Sequence, residues 1–385
     1  MIAEIETLPV PPRWLFVKVT TDDGTVGWGE AIVPKRARAV TGAIADMADN
    51  LRGADADRIE DIAQRLHRDG FFRGGPILST AAAAIEMALW DLKARRHGLA
   101  AYEFLGGAVR EKVRTYAWVG GDRPADVLAH AKQRVEQGFT AVKMNATAQV
   151  DFIDSHSTVD DLLERVGSIR GAYPDLGIAL DFHGRVHRSM ARTLLRELEQ
   201  FRLMWVEEAP SPENDDVLPF LRDAAGSTPL ATGERMFSRF EFSRLLEMRA
   251  VDIIQPDVSL TGLYELVKIA HLAEAYDVAV APHCPNGTIS LAASLQAGYC
   301  CPNIVIQEQS GGLHYNAGYA GLPSGELFDY ITAPGILTQQ DGHFIRTADP
   351  GLGVNVDESV VRERTQQWRL PDPNWRYPDG RYAEW

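Results

Sequence analysis

The chain has 385 residues, 45% hydrophobic and 24% charged, with 39 Lys and Arg against 53 Asp and Glu for a formal net charge of −14. This is the composition of a globular protein with room for a barrel and a smaller second domain, and it argues against disorder. The acidic balance argues against a nucleic-acid or anionic-membrane partner, which would need clustered Lys and Arg, and no apolar run reaches the ~18 residues that cross a bilayer.

Met1 to Pro12 holds Glu4 and Glu6 and no basic stretch, so a secretory leader is not expected. Over 14–31 apolar and polar residues alternate about Asp23-Gly24, which predicts a β-hairpin. Helical spacing follows over 39–66 and 80–96, with Gly98 as a stop after His97. Hairpin followed by helices predicts an α+β unit over about residues 1–110. After Gly106-Gly107 short apolar strands alternate with amphipathic helices, the pattern of parallel β/α units. The predicted strands are 113–119, 140–144, 177–180, 203–206, 230–232, 251–254, 278–281 and 303–306. Eight of them predict a closed barrel over 111–338 rather than an open sheet. The polar stretch 145–158 reads as a loop. From about 339 the tail is rich in Pro, Gly and Trp, and 354–356 is expected to return as a strand, so that 339–385 complete the first domain. Cys284, Cys300 and Cys301 form no Cys-x-x-Cys pair, and an odd number with two adjacent is a poor disulfide framework. A reducing, cytoplasmic setting is expected.

The informative residues stand just after the predicted strands. Asp181, Glu207, Glu234, Asp257, His283 and Glu308 recur at steps of 23 to 27 residues, close to the ~30-residue advance of one barrel unit. Six consecutive strands thus deliver an acid or a histidine to the C-terminal mouth, the face where barrel enzymes keep their chemistry. One such acid alone would read as a helix cap or a solvated loop residue; six in phase do not. Three neighbouring carboxylates repel one another unless a cation lies between them. Asp181, Glu207 and Glu234 offer the hard oxygen ligands that suit Mg²⁺, whereas zinc would call for a His/Cys cluster. Spacing leaves Glu207 and Glu208 open as alternatives, since strand alternation turns only one of them inward. His183, two residues after Asp181, reads equally as a proton donor or acceptor and as a hydrogen-bonded structural histidine. His283 has Asp257 on the adjacent strand end, a pairing that fixes the imidazole tautomer and makes a candidate general base. His187, His271 and His314 lack such context, and the first two read as helix-surface residues. Phosphate-loop, serine-elbow and dinucleotide fingerprints are missing from suitable positions.

Motifs along almost the whole chain carry a family resemblance. They begin with Pro12-Arg13-Trp14, Val26-Gly27-Trp28-Gly29-Glu30, Arg73-Gly74-Gly75-Pro76-Ile77 and Trp118-Val119-Gly120-Gly121-Asp122-Arg123-Pro124. They continue with Asp181-Phe182-His183-Gly184-Arg185-Val186, Gly233-Glu234-Arg235-Met236, Gln255-Pro256-Asp257, Ala281-Pro282-His283-Cys284-Pro285, Gln307-Glu308-Gln309-Ser310 and the closing Ala383-Glu384-Trp385. Together they resemble the enolase superfamily, whose strategy is a Lys or His base with Mg²⁺ stabilising an enediolate. Within it they resemble the mandelate racemase branch and its D-galactonate dehydratases.

The resemblance implies an α/β fold, a (β/α)7β-type modified TIM barrel with an N-terminal α+β capping domain. It implies Asp181, Glu207 and Glu234 as Mg²⁺ ligands and His283, oriented by Asp257, as the base that removes the C2 proton. His183 would protonate the departing 3-hydroxyl, and Glu308 would hydrogen-bond the substrate carboxylate or enediolate. Lys143, Asn145, Arg13 and Trp14 are expected at the substrate, with the segment near Arg13 and Trp14 closing over the mouth. The implied reaction converts an acid sugar, D-galactonate before arabinonate, gluconate or mannonate, to a 2-keto-3-deoxy acid. An acid-sugar epimerase and a non-catalytic sugar-acid-binding barrel are the alternatives. Lys143-Met144-Asn145 stands where racemase relatives have Lys-x-Lys, and Asn145 cannot abstract a proton, which weakens a two-base racemisation. Two departures from the family border the mouth and bear on the substrate: Ala209 in place of a proline, and Asn286 where an apolar residue is usual. The relatives' habit implies a homo-oligomer, a dimer or an octamer.

Overall fold

The first layer is a three-stranded antiparallel sheet of β1 (Ile2–Val10), β2 (Trp14–Thr21) and β3 (Val26–Glu30), paired in that order. The computed structural model describes residues 1–121, 126–318, 321–366 and 375–384; Asp122-Arg123-Pro124 and Trp385 of the motifs above lie outside them. The Asp23-Gly24 hairpin joins β2 and β3 as expected. β1 is not among the strands predicted from the sequence; its register shifts between Ile2 and Glu4.

Three helices follow, α1 (Ala37–Leu51), α2 (Ile59–Arg68) and the long α3 (Gly75–Arg96). Two glycines of β3 let α3 approach the sheet closely. A Cβ on Gly27 would stand 2.0 Å from the Ala88 carbonyl oxygen, and one on Gly29 the same distance from that of Ala84. The Gly-Trp-Gly motif and the alanine run of α3 are thus two sides of one contact.

The predicted strand over 113–119 is split. β4 (Lys112–Arg114) turns away from the barrel, and β5 (Ala117–Trp118) starts it. The parallel sheet runs on through β6 (Ala141–Asn145), β7 (Gly177–Asp181), β8 (Trp205–Glu207), β9 (Leu230–Thr232), β10 (Ile253–Ile254) and β11 (Ala279–Val280). Between them lie α4 (Val127–Glu136), α5 (His156–Ala172), α6 (Arg188–Leu198), α7 (Leu218–Ala225), α8 (Arg239–Glu247), the short α9 (Val258–Thr261) and α10 (Leu263–Glu274), and α11 (Thr288–Cys300) follows β11. The eighth predicted strand, 303–306, is reduced to bridges: Ile304 pairs with Val280 and Gln307 with Thr115, which closes the ring. A layer of Tyr116, Ala141, Ala179, Trp205, Ala231, Ile253, Ala281 and Ile306 forms one apolar cluster inside it. The alanines make room for the Tyr116 and Trp205 rings, whose centroids are 5.6 Å apart. This is the filled interior of a TIM-type barrel.

β12 (Gln339–Gln340) and β13 (His343–Ile345) join β4 in a small antiparallel sheet. The tail departs from expectation. Val356 bridges to Ile331 and not to the first sheet. Helix α12 (Glu358–Arg364) does return to that sheet, through Arg362–Glu6 at 2.8 Å and Lys18–Glu358 at 2.7 Å. The stretch 375–384 instead lies on the loop after β6, with the Tyr377 hydroxyl on the Val150 carbonyl (3.0 Å) and Arg381 on Asp151 (2.6 Å). Among the described residues no helix is long and apolar enough to cross a membrane.

Buried carboxylates join the first domain to the barrel. Glu30 accepts the backbone N–H groups of Gly287, Ile289 and Ser290 at the start of α11, and Glu86 those of Leu263 and Tyr264 at the start of α10. Orphan amides of two barrel helices are thereby capped from the other domain. Burial outweighs these bonds and pushes both carboxyls up to about 7.

Candidate active site

In-register parallel pairing sets the first residues of the site side by side. Asp181 at the end of β7 is the register partner of Asn145 on β6 and of Glu207 on β8. Glu234 stands two residues past β9. One carboxylate oxygen each from Asp181, Glu207 and Glu234 lies within 4.8 Å of the others. Glu208 is drawn out of this group: it takes a left-handed backbone (φ 47°) and pairs with Arg235 at 2.6 Å. His183 is likewise left-handed, at φ 50°. Two non-glycine residues in that region, directly after neighbouring strand ends, mark a locally strained mouth.

Beneath the carboxylates lies Lys143, fully buried. Its Nζ is 2.7 Å from Glu207 Oε1, 3.0 Å from Glu308 Oε1 and 3.6 Å from Asp181 Oδ2, and it sits 4.7 Å from the Trp118 ring centroid. Glu308 also accepts the Trp118 indole N–H (2.7 Å) and the Cys284 backbone N–H (2.9 Å). Lys143 and Glu308, expected at the substrate, are therefore engaged with one another one layer below the cleft. Trp14 departs further from expectation. It is fully buried against Phe16 and Tyr330, and its indole fills the space left by Gly287, where a Cβ would come within 2.7 Å of it. Its neighbour Arg13 does reach the mouth: it donates to the Pro285 carbonyl at 2.5 Å and lies over the Tyr315 ring. Asn145 lines the cleft and donates to the Gly121 carbonyl at 2.7 Å.

The cleft, about 470 Å³, has His183 and His283 in its walls. They follow β7 and β11, four positions apart in an eight-position ring, so they face each other across it. His183 Nε2 is 2.9 Å from Asp181 Oδ2, and Arg185 Nη2 is 3.1 Å from its Nδ1. A guanidinium only donates, so Nδ1 accepts and the ring's proton sits on Nε2. Arg185 is held in turn by the Thr147 carbonyl (3.2 Å) and the Trp375 ring, 4.6 Å away. His283 Nδ1 is 2.7 Å from Asp257 Oδ2, and its Nε2 is 3.6 Å from Glu234 Oε2. Burial works against a charged His283, but the Glu234 and Glu308 charges and the Asp257 hydrogen bond outweigh it and push the imidazole up to about 10.

Charge is uneven among the acids. Burial raises the Glu234 carboxyl, and the charge of Glu208 adds to the rise, so that it stands well above the ordinary range even with His283 opposing. Burial also favours the neutral form of Asp181, but His183 and Lys143 hold it well below the ordinary range. Glu234 Oε2 is buried and receives no hydrogen bond among the described residues. An all-oxygen set of three converging carboxylates, one with an orphaned oxygen, fits a divalent cation. A positive charge beside Glu234 would also bring His283 down toward neutral pH, where a base must be free to accept a proton.

Several residues at this site were not singled out from sequence. Arg185 and Arg235 lie in the strand-end motifs, two and one residues past an acid or a histidine already marked. His314, half-buried in the cleft wall, comes from a 3₁₀ turn (His314–Asn316) beyond the last barrel segment, where no periodic signal reaches. Of the two histidines read as helix-surface residues, His271 is exposed on α10. His187 instead precedes α6 and stacks on Phe152 at 3.6 Å.

Residues 11–106 match the mandelate racemase / muconate lactonizing enzyme N-terminal domain, and residues 126–360 the enolase C-terminal domain-like family. D-galactonate dehydratases of Pectobacterium atrosepticum and Ralstonia pickettii are each 47% identical to the chain, over 100% of both sequences. Among solved structures, an enolase from Agrobacterium radiobacter with bound sodium and L-malate aligns with a TM-score of 0.88 at 30% identity, covering 100% of this chain and 99% of that one. An enolase from Pantoea ananatis with bound D-gluconate and magnesium aligns with a TM-score of 0.87 at 25% identity over the same shares.

Proposed function

The chain belongs to the enolase superfamily, in the branch of mandelate racemase and muconate lactonizing enzyme, and from that premise we propose that it is a magnesium-dependent hydro-lyase of acid sugars acting on D-galactonate. One observation carries the reading: three convergent carboxylates stand between two histidines that face each other across one cleft, His283 backed by Asp257. The names of the full-length relatives at 47% identity support the substrate, and the bound ligands of the two solved neighbours support the pairing of cation and sugar acid.

Asp181, Glu207 and Glu234 would hold the cation, which when bound supplies Lewis acidity toward the substrate carboxylate. The remaining chemistry belongs to the side chains. His283 Nε2 takes the C2 proton, while Asp257 on Nδ1 keeps the ring in the required tautomer and orientation. Arg185 holds the His183 ring at Nδ1; protonated to the imidazolium, His183 gives its Nε2 proton to the departing 3-hydroxyl and returns to the neutral ring. Loss of water from C3 and tautomerisation give the 2-keto-3-deoxy acid. Lys143 balances Glu207 and Glu308 from below, and Arg13 ties the first domain to the His283 loop. Asn145 stands where a second base would be needed for racemisation and has no proton-accepting nitrogen.

The test is a panel of aldonic acids incubated with the protein and Mg²⁺ and assayed for 2-keto acid. Galactonate is expected to turn over with the highest kcat/KM. Keto acid from gluconate, arabinonate or mannonate alone would reassign the substrate. Proton exchange at C2 without keto acid would identify an epimerase, and no turnover of any member would overturn the reading.

A further inference from the structure

Asn286 is 2% exposed and sits against Asp257, the partner of the base. Its Nδ2 is 3.0 Å from Asp257 Oδ1, 3.0 Å from Asp257 Oδ2 and 3.3 Å from Ser259 Oγ. A carboxylate can only accept, so the amide must turn its NH₂ toward Asp257. Asp257 Oδ1 also takes the Ser259 backbone N–H (2.7 Å), and Oδ2 faces His283 Nδ1 (2.7 Å). The Asn286 amide therefore bridges both oxygens of the carboxylate that orients the base.

The turn that carries Asn286 is held from three sides. The Pro285 carbonyl accepts from Arg13, the Asn286 carbonyl accepts from Ser310 Oγ (2.6 Å), and the Gly287 N–H donates to Glu30 (2.8 Å). Two of these anchors belong to the first domain. An apolar side chain would fill the same volume without the desolvation cost of a buried amide, so the amide's hydrogen bonds must account for its place.

We propose that Asn286 is a positioning residue of the dehydration reaction: by bridging the Asp257 carboxylate it fixes the rotation of that group, and through it the aim of the His283 imidazole at the C2 proton. The proposal rests on the reading of His283 as the base. Orientation of a reacting group is a sensitive quantity, and an error near 1 Å costs roughly 100-fold in rate.

The experiment compares wild type, Asn286→Leu and the isosteric Asn286→Asp, each loaded with Mg²⁺, using galactonate and [2-²H]galactonate. Asn286→Leu is expected to lower kcat by roughly 10- to 100-fold with KM changed less than about threefold. The isotope effect on kcat should rise, because proton removal becomes slow relative to later steps. Asn286→Asp, which sets a second carboxylate against Asp257, should lose at least as much. A lower kcat with an unchanged isotope effect means a smaller active fraction and overturns the proposal. So does a kcat within about threefold of wild type in either folded variant, or failure of both variants to fold. Wild type that turns over no acid sugar would refute the proposed function instead, so the two failures are distinguishable.

Discussion

Replacing Lys143 by methionine removes the ammonium group that faces Glu207, Glu308 and Asp181 at 2.7, 3.0 and 3.6 Å, all in fully buried surroundings. At an effective dielectric constant of about 20, each of these contacts is worth roughly 5 kcal/mol before solvation is counted. Desolvation of the ammonium offsets much of that gain, yet removing one member of a buried ionic cluster still costs about 3–5 kcal/mol, because the charges left behind have no water. Methionine keeps most of the volume and stays apolar, so the loss reports charge and not packing. Lys143→Met is therefore expected to lower the unfolding free energy by about 3–5 kcal/mol in EDTA, read from urea titrations followed by circular dichroism. Saturating Mg²⁺ should narrow the gap, since a cation on Asp181 and Glu207 compensates two of the three stranded carboxylates, while Glu308 stays exposed to the loss. A difference under about 1 kcal/mol, or an equal one with and without Mg²⁺, would refute the view of Lys143 as the internal counter-charge of the site.

Three further outcomes are expected. His283→Asn should abolish deuterium exchange at C2 while calorimetric Mg²⁺ binding persists; unchanged exchange would remove His283 from the role of base. Arg185→Met, which frees His183 Nδ1, should slow dehydration about tenfold or more while exchange at C2 continues, and equal loss of both would place Arg185 outside the acid's function. Glu30 and Glu86 are raised by burial from 4.5 to about 7 in the folded chain, so their stabilisation is complete below about pH 4.5 and is lost as pH rises through 7. Each contributes up to roughly 3 kcal/mol to that decline, and Glu30→Gln should flatten the fall in melting temperature between pH 5 and 8; an unaltered slope would show Glu30 to be ionised throughout.

The strand-end ladder was readable from the sequence alone for a physical reason. Parallel β/α units have nearly constant length, so residues on one rim recur at a nearly constant step, and Asp181, Glu207, Glu234, Asp257, His283 and Glu308 keep it. The Asp23-Gly24 hairpin and most helices announce themselves through local periodicity and turn chemistry, and the (β/α) class follows from their alternation. What pairing over long distances controls was not readable. Spacing could not choose between Glu207 and Glu208; register with Asp181 sets Glu207 in the carboxylate cluster, and the left-handed backbone at Glu208 turns that side chain to Arg235. Lys143 and Trp14 look like mouth residues by position, but burial set one beneath the carboxylates and the other in the seam behind Gly287. The tail's division between the first sheet and the loop after β6 depends on Arg362 meeting Glu6 and Arg381 meeting Asp151. The cap on α11 joins Glu30 to Gly287, 257 residues away. Periodicity is a property of neighbours along the chain; a hydrogen bond between distant segments leaves no period, and only folding brings its partners together.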